Sequence, residues 1–401
     1  MLYLALPLAI SFFTFQQIAY LVDSYRKQVK QHNMLDYCVF VSFFPQLIAG
    51  PIVHHKQMMP QFSNKPQQRI NIQNINLGLF IFAMGLFKKV VIADQFAVWA
   101  SNGFDNLEVI SFVGAWVTSL SYTFQLYYDF SGYTDMAIGS ALMFNITLPI
   151  NFNSPYKALN IQDFWRRWHI TLSNFLRDYI YVPLGGNRVS EFNVYFNLFI
   201  TFLLGGLWHG AGWTFIAWGA LHGFAVIIHR AWTKLGLRMN RFLAWFITFN
   251  FVNIAWVFFR AKEWNDAIML LKGMMGFQGF YSASHYAEAK QAVEELAYTF
   301  DLANEISSES TFAILLFKSQ FVLSEIGGDI WTLIWIGVFF LVAIFSKNTI
   351  EICGLNQNNI SENTKVNRTS LKWNTALMAS LAFCLAIIFQ NQVSEFLYFN
   401  F

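Results

Sequence analysis

The sequence predicts an all-α, polytopic integral membrane protein, and three observations carry that prediction. Of the 401 residues, 56% are apolar and only 12% are charged, where a soluble domain carries about a quarter charged residues. Aromatic side chains make up 19% of the chain and the mean hydropathy is +0.40. The apolar residues gather into windows of about 20, the length a helix needs to cross a hydrocarbon layer. A soluble enzyme, a disordered tail and a collagen-like fibre are excluded by the same arithmetic.

In chain order the windows lie at 1–22, 76–98, 110–128, 192–207, 211–229, 241–259, 329–346 and 373–391. The first opens directly at Met1 with neither a basic leader nor a small-residue cleavage site, so it reads as a span and not as a signal peptide. Two shorter apolar stretches, 37–53 and 135–150, carry Pro or Gly breaks and read as re-entrant or tilted. The total is roughly 8–10 transmembrane or re-entrant helices in a single domain over 1–401, without internal repeat or low-complexity tract.

Lys and Arg set the orientation. The segments 23–36, 54–75, 151–190, 230–241 and 347–372 hold 19 of the 26 basic residues and are placed in the cytoplasm, the polar stretch Asn356–Ser370 among them. The turn 99–109 holds Asp105 and Glu108 without a basic residue, and the loop 261–328 carries nine acids against four lysines. Both are placed outside, where the loop's helix-like stretches His285–Ile306 and Thr311–Ile326 would cap the outer mouth. Sorted this way, the net charge of +3 gives no nucleic-acid surface. Lys88 and Lys89 fall inside a predicted span, either snorkelling or lining a polar cavity. Cys38, Cys353 and Cys384 have neither zinc nor disulfide spacing and read as small packing residues.

Three segments carry chemistry. The apolar stretch 192–232 is too long for one span and is broken by Gly205, Gly206, Gly210 and Gly212 around Leu207-Trp208-His209. Its basic flanks predict a hairpin with His209 at a glycine-softened apex inside the membrane. An ionisable residue there is a functional candidate, or else a histidine hydrogen-bonded between helices. The run 163–177 predicts an amphipathic interfacial helix. Phe164, Trp165, Trp168, Leu172, Phe175, Leu176 and Tyr179 share one face; Arg166, Arg167, Asn174, Arg177 and Asp178 share the other. His169 stands at the edge of the apolar face, either an ordinary interfacial histidine or one turned into the protein. The arginines suit lipid phosphates or an anionic donor. In Tyr127–Asp135 two carboxylates sit among hydroxyls; Asp135 reads as a helix N-cap and Asp129 stays open.

The other histidines are weaker candidates. His222 reads as packed or hydrogen-bonded, and His54 and His55 as interfacial. HExxH, carboxylate-cage, Cys-cluster, GxSxG and Walker A patterns are all missing from the sequence, so no metal is expected. Acyl chemistry would then proceed by general-base activation of an acceptor hydroxyl.

At these residues the chain resembles the membrane-bound O-acyltransferase superfamily, in its bacterial alginate O-acetylation branch. The matching segments begin with Ile10-Ser11-Phe12-Phe13-Thr14-Phe15-Gln16-Gln17, Phe43-Phe44-Pro45-Gln46-Leu47-Ile48-Ala49-Gly50-Pro51 and Gly85-Leu86-Phe87-Lys88-Lys89. They continue through Tyr128-Asp129-Phe130-Ser131-Gly132-Tyr133, Phe164-Trp165-Arg166-Arg167-Trp168-His169 and Gly206-Leu207-Trp208-His209-Gly210 to Val257-Phe258-Phe259-Arg260-Ala261.

The resemblance implies a membrane-embedded catalytic tunnel, with His209 as the catalytic histidine and His169 as the second histidine of the Trp-His motif. It implies an acetyl group moved from a cytoplasmic donor, acetyl-CoA, without a bound cofactor. The acceptor would be an alginate-like extracellular or cell-wall polysaccharide, reached through an extracytoplasmic partner acetyltransferase at the bacterial inner membrane. Peptidoglycan or D-alanyl transfer within the same family is the alternative, and a transporter a more distant one. If both histidines act in one reaction, His169 is carried inward to line the donor entrance, with Arg166 and Arg177 near the phosphates. Family members carry further helices before the Phe-Phe-Thr-Phe segment, so the chain is expected to lack these.

Overall fold

The computed structural model describes residues 10–29, 33–47, 50–64, 69–105, 110–279 and 326–355, together with Leu323 and Leu381. The described residues form helices without a strand. They are α1 (Ile10–Tyr25), α2 (Met34–Ser42), α3 (His55–Phe62), α4 (Ile72–Phe87), α5 (Asp94–Asp105), α6 (Phe112–Met143), α7 (Ile161–Trp165), α8 (Ile170–Leu176), α9 (Glu191–His209), α10 (Trp213–Lys234), α11 (Arg241–Arg260), α12 (Trp264–Met274), α13 (Ile330–Phe345) and α14 (Thr349–Ile352). The expected span 373–391, the loop Asn356–Ser370, the opening residues 1–9 and almost all of the two helix-like stretches in 261–328 lie outside the described residues. By length and composition, Ile72–Asp105 and Arg241–Arg260 are each apolar enough to cross a membrane, and Ile330–Phe345 is a shorter apolar helix.

The stretch 135–150 is not re-entrant. It continues the preceding window into α6, a single helix of 32 residues, about 48 Å long at 1.5 Å per residue. Asp135 therefore lies in a helix interior and caps nothing. The physical reason is on the neighbouring helix. α4 runs through a π-helical turn, Lys88–Ala93, into α5, making one 34-residue rod, Ile72–Asp105. The widened turn lets two adjacent lysines address α6: Lys88 Nζ lies 2.6 Å from Asp135 Oδ2 and Lys89 Nζ 2.8 Å from Asp129 Oδ1. Lys89 also reaches Asp94 at 2.8 Å. The two lysines neither snorkel nor face water; they neutralise carboxylates that the sequence alone reads as a cap and an unassigned acid. Thr349 of α14 adds a 2.6 Å hydrogen bond to Asp135.

Glycine makes that pairing reachable. A Cβ on Gly85 would stand 2.4 Å from the Gly132 carbonyl oxygen, and one on Gly78 would stand 2.5 Å from that of Gly139. The two rods thus touch backbone to backbone at two levels, the small-residue contact that membrane helices use.

The loops sort into two faces. At one end Asn145 bonds Asn74 and the Arg69 carbonyl, Gln61 bonds Thr147, Lys157 bonds the Ser346 carbonyl, and Asn348 bonds Asn153 and Ser154. These contacts join three of the five basic segments. At the other end Lys262 pairs with Asp105, Asn102 bonds the Ile326 carbonyl, and Phe112 bonds the Gly279 carbonyl. That is the face expected to be acidic.

Between the faces lies an aromatic core in which α6, α7, α10 and α11 contribute Phe130, Phe164, Trp165, Trp218 and Trp256, all buried. Cutting the chain at 37–53 matches the expected break: α2 ends in a 3₁₀ turn, Phe44–Gln46, with Pro45 inside it.

Removing one partner from a buried ion pair strands the other, at a cost of about 3–5 kcal/mol. Asp135→Leu is therefore expected to lower the thermal stability of the detergent-solubilised chain sharply, and Lys88→Met with Asp135→Leu to recover most of the loss. Thermal melts followed by size-exclusion fluorescence read both; equal losses in the single and double variants would contradict the pairing.

Candidate active site

The region 192–232 folds as the hairpin its glycines predict. α9 and α10 are joined by Gly210-Ala211-Gly212. Their open end is tied by Glu191, which bonds Arg230 at 3.0 Å and also pairs with Lys234. Those cations hold the Glu191 carboxyl well below its ordinary range, to about 2. Near the apex a Cβ on Gly206 would meet the Phe215 carbonyl at 2.4 Å and the Gly219 Cα at 3.1 Å, so the two helices run in contact. His209 ends α9 and is 7% exposed. Its ring is boxed by the rings of Trp208, Phe259 and Trp218, at centroid distances of 4.6, 4.9 and 5.2 Å.

The segment 163–179 corrects its expectation in shape but keeps its faces. It is not one interfacial helix: α7 ends at Trp165, the chain turns through 166–169, and α8 starts at Ile170. Of the expected apolar face, Phe164, Trp165, Trp168, Leu172, Phe175 and Leu176 are buried against the rest of the protein and Tyr179 is half-buried, while Arg166, Asn174, Arg177 and Asp178 stay exposed. The break turns on His169 itself, which has φ +42°, a left-handed conformation that costs a non-glycine residue free energy and concentrates at functional sites. The turn drives its side chain inward, to 1% exposure.

Asn151, fully buried, holds that ring. Its Oδ1 accepts the Thr171 backbone N–H at 3.2 Å and the Thr171 hydroxyl at 2.9 Å, and stands 3.2 Å from His169 Nδ1. An oxygen that already accepts a backbone N–H is an acceptor toward the ring as well. Nδ1 therefore carries the proton, and the lone pair of the neutral ring sits on Nε2. Phe130 meets the ring edge-on at 4.8 Å and Phe12 stacks on it at 6.3 Å.

His169 and His209 line one crevice with Leu126, Trp165, Trp168, Leu172, Trp218, Trp256 and Phe259, too narrow for a water-sized sphere. Two histidines 40 positions apart in sequence thus face a dry, aromatic gap. Arg166 and Arg177 are not part of it. Both are exposed, and the Arg177 guanidinium forms a fork on the adjacent Asp178 at 2.7 and 2.9 Å. His222 packs as expected: fully buried, it accepts the Trp165 indole N–H at 3.2 Å.

His54 and His55 both turn toward Asp23 of α1, His54 half-buried and His55 fully buried. Its Oδ2 lies 3.0 Å from His54 Nε2, 3.2 Å from Lys56 Nζ and 3.9 Å from His55 Nε2, and the Tyr179 hydroxyl lies 2.7 Å from His54 Nε2. The Asp23, His54 and His55 ligand atoms fall within 4.8 Å of one another. Lys56 and Tyr179 already engage the Asp23 and His54 atoms, so the cluster reads as a polar latch joining α1, α3 and the π-helical turn Arg177–Tyr181 that follows α8.

The same chain matches the model of the membrane-bound O-acyltransferase family over residues 2–262. The chain belongs to that family. It is an O-acyltransferase by the same finding and by its relatives. It is 51% identical to the peptidoglycan O-acetyltransferase of Helicobacter pylori, over all of this chain and 75% of that protein. It is 46% identical to the protein named "Probable alginate O-acetylase AlgI" of Pseudomonas aeruginosa, over 69% of this chain and 52% of that one. The teichoic acid D-alanyltransferase of Bacillus subtilis is 26% identical over 64% of this chain and 69% of its own length. The chain thus spans three quarters of the first relative and about half of the second.

Sequence reasoning missed Asn151, Trp218 and the Asp23 latch. None stands in a motif; each is defined by what the fold brings to it.

Two measurements follow. Asn151→Leu leaves the Thr171 N–H and His169 Nδ1–H without their buried acceptor, a loss of about 1–3 kcal/mol, and frees the His169 tautomer; a lower melting temperature with reduced turnover is expected. Secondly, burial lowers the His54 pKa, outweighing the upward pull of Asp23. A depressed histidine adds stability above its unfolded value of about 6.5 and loses it as pH falls. Melting temperature should therefore drop between about pH 7 and pH 5.5, and drop less in His54→Gln.

Proposed function

We propose that this chain is a multi-pass protein of the bacterial cytoplasmic membrane that moves an acetyl group from acetyl-CoA, entering on the basic face, toward a polysaccharide hydroxyl on the other face. The observation that carries the reading is the convergence of His169 and His209 on one dry crevice between the two sets of loops. Water exclusion protects a thioester from hydrolysis during transfer.

In this reading His209 is the general base. It takes the proton of the acceptor hydroxyl as the oxygen attacks the thioester carbonyl, and returns it to the departing thiolate. His169, held by Asn151 through Nδ1, orients the donor and acceptor at the same gap. Arg166 and Arg177 are candidates for the donor's phosphates, because both are exposed and flank the α7–α8 unit that carries His169.

Peptidoglycan is the acceptor we favour, since the peptidoglycan relative matches the whole chain while the alginate relative matches 69% of it. The alginate-like acceptor expected from the resemblance is the second reading, favoured by 46% identity over that shared part. Hand-over through an extracytoplasmic partner transferase suits either polymer and belongs to the same proposal.

His209→Ala is expected to lower acetyl transfer at saturating donor by about 10²–10⁴-fold, the range for loss of a general base. His169→Ala should raise the apparent KM for acetyl-CoA and depress kcat less than His209→Ala does. Radiolabelled acetyl-CoA supplied to membranes, with label counted separately in peptidoglycan and in exopolysaccharide, reads rate and acceptor together. Unchanged labelling by well-expressed His209→Ala membranes would reject the site.

A further inference from the structure

General-base attack on a thioester generates a second requirement that the two histidines leave unmet. When the acceptor oxygen bonds to the carbonyl carbon, the carbonyl π pair moves onto oxygen. That oxyanion needs a donor already in place in a gap without water. His209 is engaged with the moving proton, and the His169 Nδ1–H is committed to Asn151.

Two indoles that line the crevice, those of Trp218 and Trp256, have a buried Nε1 without a hydrogen-bond acceptor among the described residues, and of the two it is Trp218 whose ring meets His209. Trp218, on the second turn of α10, lines the gap beside His169 and His209 and is 2% exposed. Its indole Nε1 is buried and has no hydrogen-bond partner among the described residues. Indole N–H is a donor only, and a buried donor without an acceptor is unfavourable unless something supplies one. The ring is held firmly. It stacks on Trp256 at a centroid distance of 5.8 Å and 19°, and it meets His209 edge-on at 5.2 Å and 88°. Gly219, its chain neighbour, is pressed against the Phe202 carbonyl and Gly206 of α9, which fixes the backbone beneath it. By contrast, the Trp165 indole at the end of α7 already donates to His222.

We propose that the Trp218 indole N–H is the hydrogen-bond donor for the oxyanion of acyl transfer at this site. The proposal rests on the acyl-transfer reading of the His169–His209 crevice. The hydroxyl proton passes to His209, the acceptor oxygen bonds to the acyl carbon, and the oxyanion accepts from Trp218 Nε1–H. On collapse the C–S bond breaks, the carbonyl re-forms, and the thiolate takes the proton from the imidazolium, leaving ester and free thiol. The orphaned donor in the resting protein is then the donor that finds its acceptor only in the transition state, the condition under which a contact raises kcat and not merely affinity.

The test uses the full chain in membranes with acetyl-CoA as donor and both free thiol and polymer-bound acetyl as products. Trp218→Phe keeps an aromatic ring and removes the N–H. Trp218 replaced by benzothienylalanine keeps the whole bicycle and removes only the N–H. Both are expected to lower kcat by about 10²–10³-fold, with the KM for acetyl-CoA within about threefold of wild type; the benzothienylalanine variant, which keeps the packing volume, is expected to hold the wild-type melting temperature, while Trp218→Phe loses some through the cavity it leaves. Rates within about threefold of wild type in both variants, alongside an inactive His209→Ala, overturn the Trp218 role and leave the reading of the crevice intact. A fall in melting temperature that accompanies the loss of rate in both variants also overturns it, since Trp218 would then be packing. An active His209→Ala, or a wild-type chain that transfers nothing from acetyl-CoA, overturns the site reading and this proposal with it.

Discussion

Two lysines inside an apolar helix can be kept only if carboxylates meet them there, and the architecture is organised around that demand. The π-helical turn Lys88–Ala93 aims both ammonium groups at α6, and Asp129 and Asp135 answer from the interior of a 32-residue helix. Charges so paired require the helices to approach closely, and Gly78, Gly85, Gly132 and Gly139 remove the side chains that would prevent it. Once that rod pair is fixed, the rest of α6 is fixed too. Tyr127, Phe130 and Leu126 then present themselves at one level to α7, α8 and the crevice.

The site inherits its dryness from this arrangement. Around the two histidines nearly every neighbour is aromatic, and several of the buried oxygens nearby have assigned partners. Asn151 serves Thr171 and His169 at one oxygen, while Thr123 donates to Asn253 at 2.6 Å and Tyr156 to the Thr123 carbonyl at 2.7 Å. In such surroundings an interaction that is weak in water becomes strong, and a misplaced proton is expensive. The crevice is closed to a water-sized sphere, so a donor has to part the aromatic walls to enter, and closing behind it restores the dry gap in which transfer outpaces hydrolysis.

Much of this was legible in the residues, and the failures share a cause. The α9–α10 hairpin with His209 at its apex follows from glycine placement and basic flanks, and both are local. The inward-facing residues of 163–179 follow from helical spacing, although the continuous helix does not, because a left-handed turn at His169 leaves no trace in periodicity. Asp135 reads as a cap when only its own neighbours are considered. Its true partner, Lys88, stands 47 positions away, and nothing local connects them. The same holds for Asp23 with His54 and for Asn151 with His169: pairings between distant segments are decided by the packing of α1, α3 and α8, not by composition.

The left-handed backbone at position 169 also restricts which residues that position can exchange with. Glycine, asparagine and aspartate adopt φ near +42° at little cost, whereas β-branched side chains resist it. A substitution there is thus read twice, once as a side chain and once as a hinge. Asparagine would keep the bend between α7 and α8 and alter only the ring chemistry. Valine would ask the turn to unwind, drawing Trp168 and Thr171 out of register and carrying one wall of the crevice with them.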